Sequence, residues 1–142
     1  MPRFLVPVDG SESAMRAASF AIDLAQHIQM LQLHLVTIHP EPVSYGEIAV
    51  YASSKELEKL QNARSADLLR PALDAAKRAG VPCTSEILSG DTARAIVKRA
   101  QELACDGIIM GTRGMSALGN LVMGSVATEV VHLTRLPVTL VK

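Results

Sequence analysis

The chain has 142 residues, 49% apolar and 20% charged, with 14 Lys and Arg balanced by 14 Asp and Glu. That length asks for a single domain over residues 1–142, and that composition supports a packed core and excludes a disordered segment. Zero net charge excludes the positive excess that grips nucleic acid, and no apolar run approaches the ~20 residues that span a bilayer.

Residues 1–6 lack the basic segment, long apolar stretch and cleavage site of a signal peptide, so a soluble cytoplasmic protein is expected. The run Phe4-Leu5-Val6-Pro7-Val8 then reads as a strand buried on both faces. Asp9-Gly10-Ser11 turns it into a helix whose apolar face is Ala14, Ala17, Ala18, Ala21, Leu24, Ala25 and Ile28. Residues 33–38 form a second strand, stopped by His39-Pro40-Glu41-Pro42 because proline cannot donate to a ladder. Residues 43–53 show no period and read as a loop. From residue 54 to residue 79 the period is helical, with Leu57, Leu60, Leu68, Ala72, Ala75 and Ala79 expected to face inward. Pro71 is expected to kink that helix or divide it.

Gly80 reads as a C-cap, and residues 84–88 as the third strand. Ser89-Gly90-Asp91 gives a turn and an N-cap, and Ile96, Val97, Ala100 and Leu103 make the stripe of the next helix. Residues 107–111 are a fourth buried strand, followed by a glycine-spaced loop to Gly124, a helix from Ser125 to about Thr134, and a last strand over residues 137–141. Strand and helix alternate throughout, the pattern of an α/β domain with a parallel sheet.

In such sheets ligands bind beyond the carboxyl ends of strands, where strand order reverses. In a doubly wound order 3-2-1-4-5 the loops Asp9-Gly10-Ser11 and Gly111-Thr112-Arg113-Gly114 share one crevice. The first loop alone is as readily an ordinary turn. The second is more specific: Gly111, two residues, Gly114, nine residues, then Gly124-Ser125. Glycine allows positive φ and close backbone approach. Gly124-Ser125 stands at a helix start, where free amides and the dipole suit a phosphate, with Ser125 adding a hydroxyl and Arg113 a charge. These residues read as a mononucleotide or phosphate pocket.

No Gly-Lys pair, G-x-G-x-x-G or G-x-S-x-G elbow occurs. No base, nucleophile and orienter fall together in these loops, so a binding protein is expected rather than an efficient enzyme. His34 and His39 have no ligand spacing around them, and they read as satisfied structural or surface residues. Cys83 and Cys105 give neither a zinc pattern nor a disulfide framework, and they read as inert thiols. Met110, Met115 and Met123 gather around the glycine loop as soft packing.

Val6-Pro7-Val8-Asp9-Gly10-Ser11-Glu12-Ser13, and Ile109-Met110-Gly111-Thr112-Arg113-Gly114 through Gly124-Ser125-Val126 to Leu136-Pro137-Val138, closely resemble the universal stress protein family. The glycine spacing followed by serine resembles its ATP-binding branch. The resemblance runs from Phe4 to Lys142 and implies a Rossmann-like open parallel sheet, order 3-2-1-4-5, with two helices on each face. It implies an adenine-nucleotide site that includes Pro7, Val8, Asp9 and Ser11, with Pro7 walling the base and Asp9 accepting hydrogen bonds near it. Ile38 would pack on the adenine, with Met110 below it. Gly111, Thr112, Arg113 and Gly114 would line ribose and phosphates, and Gly124, Ser125 and Val126 would hold the phosphates. Ala127 stands where some members carry a hydroxyl, which leaves ATP, ADP and AMP open as ligands.

The resemblance further implies Mg²⁺ or Mn²⁺ carried mainly by the phosphates, ATP hydrolysis that is slow at most, and a nucleotide-responsive role in stress regulation with an unidentified protein partner. A nucleotide-free scaffold of the same fold is the alternative. The apolar last strand, uncharged until Lys142, is expected at a sheet edge, where it pairs antiparallel with a second copy across residues 138–141. The Thr139 amide is expected in that intermolecular ladder.

Overall fold

Residues 1–39, 53–113 and 123–142 are described by the structure, a computed structural model. In chain order they form β1 (Arg3–Pro7), α1 (Glu12–His27), β2 (Gln32–His39), α2 (Ser53–Arg78), β3 (Cys83–Ser89), α3 (Thr92–Glu102), β4 (Gly107–Gly111), α4 (Ser125–Leu133) and β5 (Val138–Val141). The five strands make one parallel sheet in the order β3-β2-β1-β4-β5, as the sequence implies. Among the described residues no helix is long and apolar enough to cross a membrane.

Side-chain alternation along the strands splits the core in two. Val6, Val8, Leu33, Leu35 and Ile109 face α1 and α2, whereas Leu5, Val36, Ile108 and Met110 face α3 and α4. The sheet side of α1 is mostly alanine, with Ala14, Ala17, Ala18 and Ala21 buried beside Ile22, so its backbone lies close over the strands. Ile28 is not on that face. The helix ends at His27, and Ile28 is its half-exposed C-cap.

In α2 the structure excludes one of the two outcomes expected at Pro71 and corrects the inward face at its first two leucines, while Ala72, Ala75 and Ala79 pack on the core as expected. Pro71 does not divide it, because the helix runs unbroken from Ser53 to Arg78. Pro71 and Asp67 both lie on the exposed side, so the carbonyl that proline leaves without a donor is on the solvent side, where water can meet it. Leu57 and Leu60 are also exposed, and the buried stripe is Ser65, Leu69, Ala72 and Ala76. The helix closes as expected at Gly80, whose φ of +70° suits glycine, with the Val81 N–H returning to the Ala76 carbonyl.

Backbone alternation fixes which strand edges are free. In β5 the Pro137 and Val141 carbonyls accept from Ile108 and Thr112, so odd-numbered residues face β4 and Val138 and Leu140 face outward. The Thr139 amide therefore belongs to the sheet itself, contrary to expectation, and the outward donors are its two neighbours. In β1 the Val8 N–H bonds to the Val36 carbonyl, so Val8 faces β2 and Pro7 faces β4. Pro7 brings no N–H to that side, and the β1–β4 register runs only from Phe4 opposite Gly107 to Leu5 opposite Ile108. The carboxyl ends of these two strands are where strand order reverses, the place at which open parallel sheets have their crevice.

The face of α2 is testable. Leu69→Ala should cost about 2–5 kcal/mol, as loss of a buried leucine does. Leu60→Ser should stay within about 0.5 kcal/mol of wild type. Urea denaturation of both variants measures the difference.

Candidate functional site

The crevice between β1 and β4 is built from the first turn of α1 upward. Gly10 holds φ at +85°, which lets the chain reverse directly after β1. Ser11 then caps α1, its hydroxyl accepting from the Ala14 N–H at 3.2 Å. Asp9 Oδ1 receives both the Ser11 N–H at 2.9 Å and the Ser11 hydroxyl at 2.5 Å. Among the described residues the second carboxylate oxygen of Asp9 has no such partner, and the residue is exposed.

Across the crevice, Gly111 ends β4 directly under that turn. A Cβ there would meet the Ser13 hydroxyl, with the Ser13 carbonyl carbon at 2.7 Å and the Ala14 nitrogen at 2.8 Å. Its lack of a side chain thus admits the helix start, and positive φ plays no part. The chain leaves β4 gripped on both sides. The Thr112 N–H donates to Val141, and the Thr112 carbonyl accepts from the Gly124 N–H at 2.5 Å. The Ser13 hydroxyl donates to the Arg113 carbonyl at 2.6 Å and accepts from the Arg113 N–H at 3.3 Å. Ser13 was not read from the sequence as a site residue. Its signals there were its place in the first turn after Asp9-Gly10-Ser11 and in the run from Val6 to Ser13 that carries the family resemblance.

Gly124 is the N-cap of α4, in extended backbone with φ −73° and ψ 165°, and it supplies no side-chain cap. Unlike α1 and α3, capped by Ser11 and Asp91, this helix start keeps its first amides available to an anion. Ser125 is exposed there. Thr112, 6% exposed, carries a buried hydroxyl with no hydrogen-bond partner among the described residues, an unmet demand at the same place.

Ile38, Met123 and Val126 pack against the cluster that contains Met110, forming an apolar bed beside the amides. Ala127 lies in that cluster at 2% exposure, so its side chain serves the core rather than the helix start. The expected residues Pro7, Val8, Asp9, Ser11, Ile38, Met110, Gly111, Thr112, Arg113, Gly124, Ser125 and Val126 therefore all stand at the carboxyl ends of β1, β2 and β4 or at the start of α4. Gly114 and Met115 lie outside the described residues.

The residues set aside from the sequence are satisfied elsewhere. The His34 ring bridges the Thr84 hydroxyl at 2.7 Å and the Glu86 carboxylate at 3.2 Å, and Arg99 holds Glu86 at 2.7 Å. Burial pushes the Glu86 carboxyl up, but the hydrogen bonds from Arg99 and His34 outweigh it and hold it below its usual value. His39 meets the Ser65 hydroxyl at 3.1 Å. Burial pushes the Cys83 thiol up to about 11 and raises that of Cys105 as well, so neither is a reactive thiolate at neutral pH. Among the described residues no three His, Cys, Asp or Glu side chains could hold a metal ion.

A family model described as "Universal stress protein family" matches residues 1–142. A universal stress protein from Thermus aquaticus is 34% identical over 97% of this chain and 96% of its own length. The universal stress protein UspA from Lactobacillus plantarum superimposes with a TM-score of 0.87 at 24% identity, covering 99% of this chain and 97% of that one. A universal stress protein in complex with cAMP superimposes at 0.74 with 25% identity over the same shares of the two chains.

Replacing Gly111 by alanine should destabilise the ligand-free protein by about 1–3 kcal/mol, because the new methyl meets backbone atoms of α1. Urea denaturation without any ligand reads this, and an unchanged midpoint would remove the packing role given to Gly111.

Proposed function

The chain belongs to the universal stress protein family, and from that premise we propose that it binds an adenine nucleotide, ATP or its di- or monophosphate, in the crevice between β1 and β4. The observation that carries this reading is the uncapped start of α4 beside the buried, unpartnered Thr112 hydroxyl. A relative 25% identical was solved with cAMP, which supports an adenosine phosphate as the ligand class.

In this reading the phosphates lie at the amides of Ser125 and Val126, where the helix dipole and the Ser125 hydroxyl stabilise negative charge, while Gly124, whose own N–H is taken by the Thr112 carbonyl, leaves them room by having no side chain. Arg113 is exposed at the crevice rim and adds a positive charge. Gly111, Thr112 and Gly114 border the ribose and phosphates. The base lies on Ile38 and Met110, with Pro7 walling it and the backbone of Val8 at its edge, and the second carboxylate oxygen of Asp9 accepts from it while Ser11 holds the first. A divalent cation, Mg²⁺ or Mn²⁺, travels on the phosphates. The protein acts as a cytoplasmic, nucleotide-responsive regulator over its one domain, residues 1–142, rather than as an efficient enzyme.

ATP with Mg²⁺ should raise the melting temperature of ligand-free protein by mass action. Gly124→Val should abolish that shift, since a branched side chain at the helix start crowds the phosphates. A Gly124→Val protein that binds ATP like wild type would move the phosphates elsewhere.

The same reading includes a homodimer through β5. Its outward row is Val138 and Leu140, no charge lies within Val138–Val141, and Val131 and Leu133 are exposed on the helix that leads into it. Thr139→Lys places a charge on an exposed position of that edge without touching the core. Light scattering at tens of micromolar should give a dimer for wild type and a monomer for the variant.

A further inference from the structure

Along β4 the even-numbered residues face β5, since Ile108 and Thr112 donate to Pro137 and Val141. Odd-numbered residues face β1, and the chain bends at Thr112 before it reaches Arg113. Among the described residues no strand stands beside Arg113. One hydroxyl takes that place: Ser13, 5% exposed, meets both the N–H and the carbonyl of Arg113. This double bond pins both backbone polar groups of Arg113 to the first turn of α1. The Ser11 hydroxyl also approaches the Arg113 carbonyl at 3.3 Å, but its single proton goes to Asp9 Oδ1 at 2.5 Å.

We infer that Ser13 is a positioning residue for the nucleotide site: its hydroxyl holds both backbone polar groups of Arg113, the residue that follows Thr112, and so sets Arg113 beside the start of α4. The inference rests on the nucleotide reading above. Ser13 belongs to the turn that also carries Asp9 and Ser11, so it ties the half of the crevice assigned to the base to the half assigned to the phosphates. Without the hydroxyl, the Arg113 N–H and carbonyl lose this partner and Arg113 must be ordered by the ligand itself, at a cost in affinity. That cost falls on ligands whose phosphates engage Arg113, and adenosine is spared.

The test uses Ser13→Ala and Ser13→Cys, the second keeping the volume of the side chain while giving up a strong donor, with Ser13→Thr as the conservative rescue. Hydrogen exchange in the ligand-free proteins reads the Arg113 amide, which should exchange faster in the alanine and cysteine variants and return toward wild type with threonine. Calorimetric titration should show ATP and AMP weakened roughly three- to thirtyfold in the first two variants, the range for residues that act without touching ligand. Adenosine affinity should stay within about twofold, and Ser13→Thr should recover ATP affinity. Unchanged Arg113 exchange overturns the clasp. An equal loss for adenosine and ATP, or no loss for either, overturns the positioning role. Wild-type protein that binds no nucleotide overturns the reading beneath it, and the role of Ser13 in binding with it, whatever the exchange rates are.

Discussion

The site depends on the close approach of one helix turn to one strand end. The first turn of α1 lies against Gly111 so tightly that a single methyl there would enter its backbone. That approach puts the Ser13 hydroxyl within reach of Arg113 and brings the Asp9–Ser11 turn to the edge of the crevice. It continues along α1, where alanines let the helix stay near the sheet over its whole length. A larger residue at Gly111, or a row of leucines on α1, would lift the helix away and separate the two loops. The packing of the core and the geometry of the site are one constraint.

The paired rungs between β1 and β4 stop at a missing donor. Pro7 faces β4 without an N–H, just past the last paired residues of β1 and β4. On its other side β1 stays in register with β2 through Pro7 and Val36. That end of the β1–β4 seam is the reversal of strand order, where open α/β sheets place their ligands.

The two outer strands differ in a way that bears on assembly. β3 carries Glu86, tied to Arg99 and through His34 to Thr84, so one edge of the sheet bears a charged network. β5 carries no charge, and among the described residues no strand stands beside its outward amides at Val138 and Leu140. Charges and networks blunt an edge against pairing, whereas a bare apolar strand invites it.

The sequence by itself determined the alternation of strands and helices, because buried parallel strands read as short apolar runs and their turns are marked by glycine, proline and aspartate. It also placed Asp9-Gly10-Ser11 and the start of the glycine-spaced segment at strand ends, and the family resemblance gave the strand order. The inward face of α2 was not legible. Leucine is apolar wherever it stands, and only packing against β2 and β3 selects Leu69 over Leu57 and Leu60. Nor could spacing reveal why Gly111 is glycine, for the atoms that would strike its side chain come from Ser13 and Ala14, about a hundred residues earlier. Ser13 stayed hidden for the same reason: a serine in a first helical turn is unremarkable until the fold sets Arg113 against it. Local chemistry is written in neighbouring residues, whereas which hydroxyl stands in for an absent strand is decided only when distant segments meet.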